Sequence, residues 1–289
     1  MDAVIITLII VGVVIVLIVA FLIGTYNRLV TLRNRVEEAW SDITVQLKRC
    51  TKEAVRDPIN LFFGLVFPLV LLGLLSIINA SIPAEANNTM FAIKNLAPGI
   101  AMFGTAFLAL FSGMLLAKDR TSSFLMRLFT SPMTARDFII GYTIPMIIIA
   151  TMQAVITLVI ACFIGLDFSV HILGAIVITT VTSLLFVGCG LFFGSLINER
   201  AVGGICGALL TNVAGWLSGV FVPVDLIGGG FKMVAEALPF YHSVAAIKGS
   251  IEGNWQVITP HLLIVLCYTT VIFTLAIYIF RRKMTGRNT

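Results

Sequence analysis

KDRTSSFLMRLFTSPMTARDF, Lys118 to Phe138, lies between two long apolar runs, Ala97 to Ala117 and Ile139 to Leu166. Its four cations, Lys118, Arg120, Arg127 and Arg136, and its Ser131-Pro132 break keep it out of a bilayer. A charge at the membrane centre is costly, and the residue before a proline is pushed out of the helical region. The stretch is therefore a loop on the side of the membrane where positive charge collects, and each flanking run is a span. A soluble partner can reach the loop from that side.

The rest of the chain has the same character. Of its 289 residues 59% are hydrophobic and 11% charged, which leaves too little polar surface to cover a soluble globule. Seven apolar runs can be read: Val4 to Gly24, Leu61 to Ala80, Ala97 to Ala117, Ile139 to Leu166, Ile172 to Ile197, Ala201 to Val224 and Ile258 to Phe280. Each has about the 20 residues that ~30 Å of hydrocarbon demands at 1.5 Å per residue, which favours helices over barrel strands. The expected fold class is an all-α polytopic membrane protein. Met1-Asp2-Ala3 carries no basic residue and no small-residue cleavage site follows, so the first run is expected to stay as an anchor.

Lys and Arg set the expected orientation. With the carboxyl terminus inside, 16 of the 19 fall on inner segments and only Lys94, Lys232 and Lys248 on outer ones. This split predicts a cell-membrane protein with its amino terminus outside and its carboxyl terminus cytoplasmic. The net charge of +5 then reports topology and gives no support for nucleic-acid binding. The five cysteines, Cys50, Cys162, Cys189, Cys206 and Cys267, have neither disulfide-framework nor metal-ligand spacing.

Catalytic chemistry is missing. The seven runs contain no Asp, Glu, Lys or Arg, and His171 and His261 stand near run ends. Proton- or sodium-coupled carriers usually place ionisable groups at the midplane, so the energy for transport is expected to come from elsewhere. No GxxxxGK[ST] phosphate loop is present. No catalytic, metal or cofactor site is expected on this chain.

Two resemblances sharpen this reading. Tyr26 to Arg49, with Leu29, Val36, Trp40, Ile43 and Leu47 at helical spacing, resembles the "YNxLVxLRNxVxxAWSxIDVQLKRR" segment that follows the amino-terminal span of LemA proteins. The likeness covers residues 1–49 and then stops, so the chain reads as a LemA-like anchor and amphipathic helix (1–49) joined to a second unit (50–289). From Lys48 the sequence is similar to ABC-2 type exporter permeases. A basic stretch leads through Arg56-Asp57-Pro58 into a span containing Phe67-Pro68-Leu69, and Arg127-Leu128-Phe129-Thr130-Ser131-Pro132 matches the family's first cytoplasmic loop. Gly219, Pro223, Leu238, Pro239, Tyr241 and Lys248 match its outer segment before the last span.

The ABC-2 resemblance implies a six-helix transmembrane domain preceded by one extra amino-terminal helix. It would work as a homodimer or with a paralogous permease, in the lipid bilayer, with an ABC ATPase subunit holding ATP and Mg. It implies a partner-coupling loop with Arg120, Leu125, Arg127, Leu128, Phe129, Thr130, Pro132 and Arg136. A second partner contact is expected at Asn198, Glu199 and Arg200, and an outer re-entrant segment at Pro223, Leu238, Pro239 and Tyr241. The positive-inside rule alone also accounts for the arginines, and a plain turn for residues 198–200. The implied function is export of a drug-like, lipid or peptide substrate. The alternatives are a LemA-like membrane scaffold, supported by the first 49 residues, and a channel or carrier, which the scarcity of polar residues in the spans disfavours. Gly190/Gly194, Gly203/Gly207 and Gly215/Gly219 have the spacing that lets helix backbones touch.

Overall fold

The computed structural model describes residues 30–31, 33–34, 37, 40–41, 44–49, 51–53, 56, 58, 62–83, 91–121 and 134–285. Among these there is no strand. Five helices are long and apolar enough to cross a membrane: Phe62–Ser81, Ile93–Thr121, Ala135–Ile164, His171–Leu196 and Trp255–Lys283. They coincide with five of the seven apolar runs. The expected anchor, Val4 to Gly24, lies outside the described residues.

The first span opens with a π-helical turn, Phe62–Val66, and continues as α1, Phe67–Ser81. Pro68 is the second residue of α1, directly after the π-helical turn, and lacking an N–H it cannot bond back to that turn. It marks the change of helix type. The long helices α2 (Ile93–Thr121), α3 (Ala135–Ile164) and α4 (His171–Leu196) follow. Short connections allow only antiparallel neighbours, and α3 packs against α4 across the six-residue connection Gly165 to Val170. Protein encloses 83% of the apolar stretch of α2, against 17% for α1 and for the last helix. The second span is thus the axis about which the others are arranged.

Glycine explains how α2 and α4 come so close. A Cβ on Gly190 would stand 2.2 Å from the carbonyl oxygen of Ala109, and one on Gly194 would stand 2.5 Å from that of Gly113. Lipid tails offer no hydrophobic drive for helix association, so direct backbone contact of this kind carries the packing. The other two glycine pairs do different work. Gly203 faces open space and Gly207 and Gly215 meet only side chains, while Gly219 turns the chain at φ +83°. A run of rings, Phe63, Phe67, Phe103, Phe107 and Phe221, fills the junction of α1 and α2.

The run Ala201 to Val224, expected as one span, is helical without interruption from Glu199 to Leu217, as α5 (Glu199–Val202), a π-helix (Gly203–Leu210) and α6 (Thr211–Leu217). Helix ends at Leu217, because Gly219 takes a left-handed conformation and Pro223 is held extended. The expected outer segment becomes α7 (Val224–Ile227), α8 (Gly229–Ala237) and α9 (Pro239–Ile251), before α10 (Trp255–Thr285). Far from lying on the surface, α9 packs against α2, α4 and α10.

Candidate functional site

One end of the helix bundle gathers the groups that the sequence distributes over four segments. In the helical residues 44–49, Gln46 is buried, and its amide donates to the Phe138 carbonyl at 3.4 Å. It fills a hole left by Gly141, where a Cβ would meet the Gln46 Oε1 at 2.2 Å. Three residues on, Arg49 Nη2 donates to Asp119 Oδ1 at 2.6 Å and its Nε to Glu53 Oε1 at 3.2 Å. Tyr142 donates to the other Asp119 oxygen at 2.7 Å. The segment before α1, the end of α2 and the first turns of α3 are thereby tied through one carboxylate that is 1% exposed. Burial opposes the charge of Arg49, but Asp119 and then Glu53 outweigh it and hold the guanidinium above its ordinary range.

Asp119 lies two residues beyond the apolar run yet on the same helix. The apolar run stops at Ala117, but α2 continues to Thr121, since backbone hydrogen bonding does not depend on the polarity of Lys118, Asp119 and Arg120. The signal was present as a single acid between two bases.

The carbonyls at the end of α4 that lack helical partners are met by cations from two other helices. Arg120 donates to Gly194 O at 2.6 Å and Ile197 O at 3.3 Å, and Lys283 to Leu196 O at 2.6 Å. Positive charge at a helix carboxyl end offsets the dipole and satisfies oxygens that lack helical partners. One residue further, Asn198 caps α5 by accepting from Ala201 N at 2.9 Å, and Glu199 and Arg200 are exposed. The two partner contacts expected separately, at Arg120 and at Asn198 to Arg200, are thus adjacent. Arg136 is exposed in the first turn of α3, beside a capping box formed by Thr134 and Asp137. Leu125, Arg127, Leu128, Phe129, Thr130 and Pro132 lie outside the described residues.

Pro223, Leu238, Pro239 and Tyr241 sit at the opposite end. Pro223 precedes α7, Leu238 is extended because a proline follows it, and Pro239 opens α9. Lys232 bridges Asp225 at 2.7 Å and Glu236 at 3.7 Å, and the Asp225 hydrogen bond raises its affinity for a proton. Burial, then the nearby Asp225 and Glu236, push the Tyr241 hydroxyl up. Sequence reasoning singled out His261 but missed His242, whose Nδ1 lies 2.6 Å from the His261 Nδ1. It also missed Gln153 and Thr157. Both are buried at mid-depth in α3 with no hydrogen-bond partner for their side chains among the described residues. Gly104 leaves the space that the Gln153 amide fills.

The family model of the ABC-2 type transporters matches residues 41–251. The probable multidrug ABC transporter permease YbhR of Escherichia coli K12 is 26% identical over 195 residues, 64% of this chain and 51% of its own length. Its counterpart in Escherichia coli O157:H7 matches to the same extent. The chain spans about half the length of the curated relatives it matches.

Proposed function

Because the chain belongs to the ABC-2 type transporter family, we propose that this multi-pass membrane protein is the membrane-spanning subunit of an ATP-driven exporter. Its charged end would face the cytoplasm and an ATPase subunit that carries ATP and Mg. The observation that carries the proposal is the meeting, at one end, of Arg49–Asp119, Arg120 and the Asn198–Arg200 turn. A subunit that hydrolyses no nucleotide must receive force mechanically. Here α2 and α3, which flank the loop, are linked by Tyr142 to Asp119, and Arg120 reaches the carboxyl end of α4, so a push on the loop would be passed to α2, α3 and α4 together. The relative's description as a probable multidrug permease supports a drug-like cargo; a lipid or peptide cargo and outward movement belong to the proposal itself.

The test is reconstitution in liposomes with each candidate ABC ATPase subunit of the same organism. ATP hydrolysis stimulated by this chain, and lost when the phosphate-loop lysine of the ATPase is replaced, is the expected result. An ATPase that neither binds the chain nor responds to it would overturn the proposal.

A further inference from the structure

His242 and His261 join α9 to α10 by a contact whose protonation state follows from its surroundings. His242 Nε2 lies 2.8 Å from the carbonyl oxygen of Glu236. A carbonyl only accepts, so that nitrogen must carry a hydrogen. In the neutral ring the Nδ1 of His242 is then a lone pair, and the hydrogen between the two Nδ1 atoms, 2.6 Å apart, belongs to His261. The structure thus fixes both tautomers. The pair has room for one added proton: His242 becomes the cation and donates through Nδ1, and His261 turns acceptor by moving its own hydrogen to Nε2. A second proton leaves two N–H groups facing each other with no lone pair between them.

The neighbouring groups do not replace this bond. Asp225, Lys232 and Glu236 on α7 and α8 pair with one another. Tyr241 stands edge-on to both rings, and Tyr268 on α10 donates to the Ala237 carbonyl. On α4, which packs against both helices, His171 lies against the α9–α10 turn, where a Cβ on Gly253 would be 2.8 Å from its ring. On α2, Lys94 is paired with Asp167. The outer half of α3 and all of α6 contain no charged residue. His261 stands six residues into α10, about 9 Å along its axis from the end that carries the turn, and is half-buried.

We propose that His242 and His261 form a proton-operated latch between α9 and α10, closed with zero or one added proton and opened by the second. Acidification on this face would release α9 from α10 while the charged end of the bundle keeps its ion pairs. The latch stands on geometry alone and does not depend on transport.

The experiment uses the full chain in lipid nanodiscs with ¹⁵N-labelled histidine and a spin-label pair on α9 and α10, titrated from neutral to acid pH. Above the first step, His242 is expected as the Nε2–H tautomer and His261 as the Nδ1–H tautomer. The two protons are expected in separate steps, as for any coupled pair, and the label distance lengthens only with the second. In His261→Asn the side-chain amide still donates to His242 but cannot titrate, so the distance should stay at its neutral value throughout. Uptake of both protons in a single step, or a distance that ignores the second proton, would overturn the latch. So would opening of His261→Asn at the same pH as the parent.

Discussion

Replacing Arg49 by Met should be among the most damaging single changes at the charged end. Asp119 is 1% exposed and takes Arg49 at 2.6 Å and Tyr142 at 2.7 Å. Removing one partner of a fully enclosed ion pair costs about 3–5 kcal/mol, because the remaining charge stays buried. Arg49 itself keeps 27% of its side chain exposed, so water recovers part of the loss, and Tyr142 still donates. We expect roughly 2–3 kcal/mol. For a chain of this size that lowers the melting midpoint by about 4–10 °C. The assay is thermal unfolding of the purified chain in nanodiscs, run as a cycle of Arg49→Met, Asp119→Asn and the double variant. The amide introduced by Asp119→Asn can still accept from Tyr142 and has no charge to strand, so the double variant should be more stable than Arg49→Met alone. The coupling should exceed about 1 kcal/mol. If the two single losses simply add, the buried carboxylate is not held by Arg49 and the reasoning fails.

Gly190→Ala drives a Cβ to 2.2 Å from backbone and should destabilise by about 1–3 kcal/mol in the same melts, whereas Gly203→Ala, which faces open space, should be neutral or stabilise by up to about 1 kcal/mol; equal effects would show that α2 and α4 do not touch as described. Arg127→Glu and Leu128→Asp are expected to abolish ATPase stimulation while membrane insertion stays normal, measured in the reconstituted complex; unchanged stimulation would move the contact to residues 48–57 or 198–200. Deleting residues 1–43 should leave assembly and melting intact. Extending the deletion through Gln46 should cost about 0.5–1.5 kcal/mol for the lost bond to Phe138, and collapse of the shorter deletion would show that the head is integral.

Hydropathy located α1 to α4 and α10 to within about five residues at each end, since bilayer thickness and apolar length are the same constraint. It failed where another rule took over. At Lys118 to Thr121 the helix runs on into charge, because its hydrogen bonds are indifferent to side-chain polarity, and Asp119 was lost with the boundary. At Leu217 to Pro223 hydropathy runs on, but Gly219 and Pro223 end the helix. Buried amides left even less trace. Nothing in the local pattern says that Gln46 enters a hole at Gly141, or that Gly104 makes room for Gln153, because each pair is separated by many residues and meets only in three dimensions. His242 was hidden for the same reason: its partner is 19 residues away on another helix.

The enclosure of α2 also bears on how the chain is made. A helix that ends up surrounded by protein must first be released from the insertion machinery as a lone segment among lipid tails, before α3, α4 and α10 have been synthesised. Its residues must satisfy two environments in succession. Apolar enough to partition alone, they must also be small enough, at Gly104, Ala109 and Gly113, to be wrapped afterwards. A bulky aliphatic at any of these positions would pass the first stage and fail the second, yielding a protein that inserts with correct topology, reaches the membrane in normal amounts, and is cleared by quality-control proteases because its later helices cannot close around it.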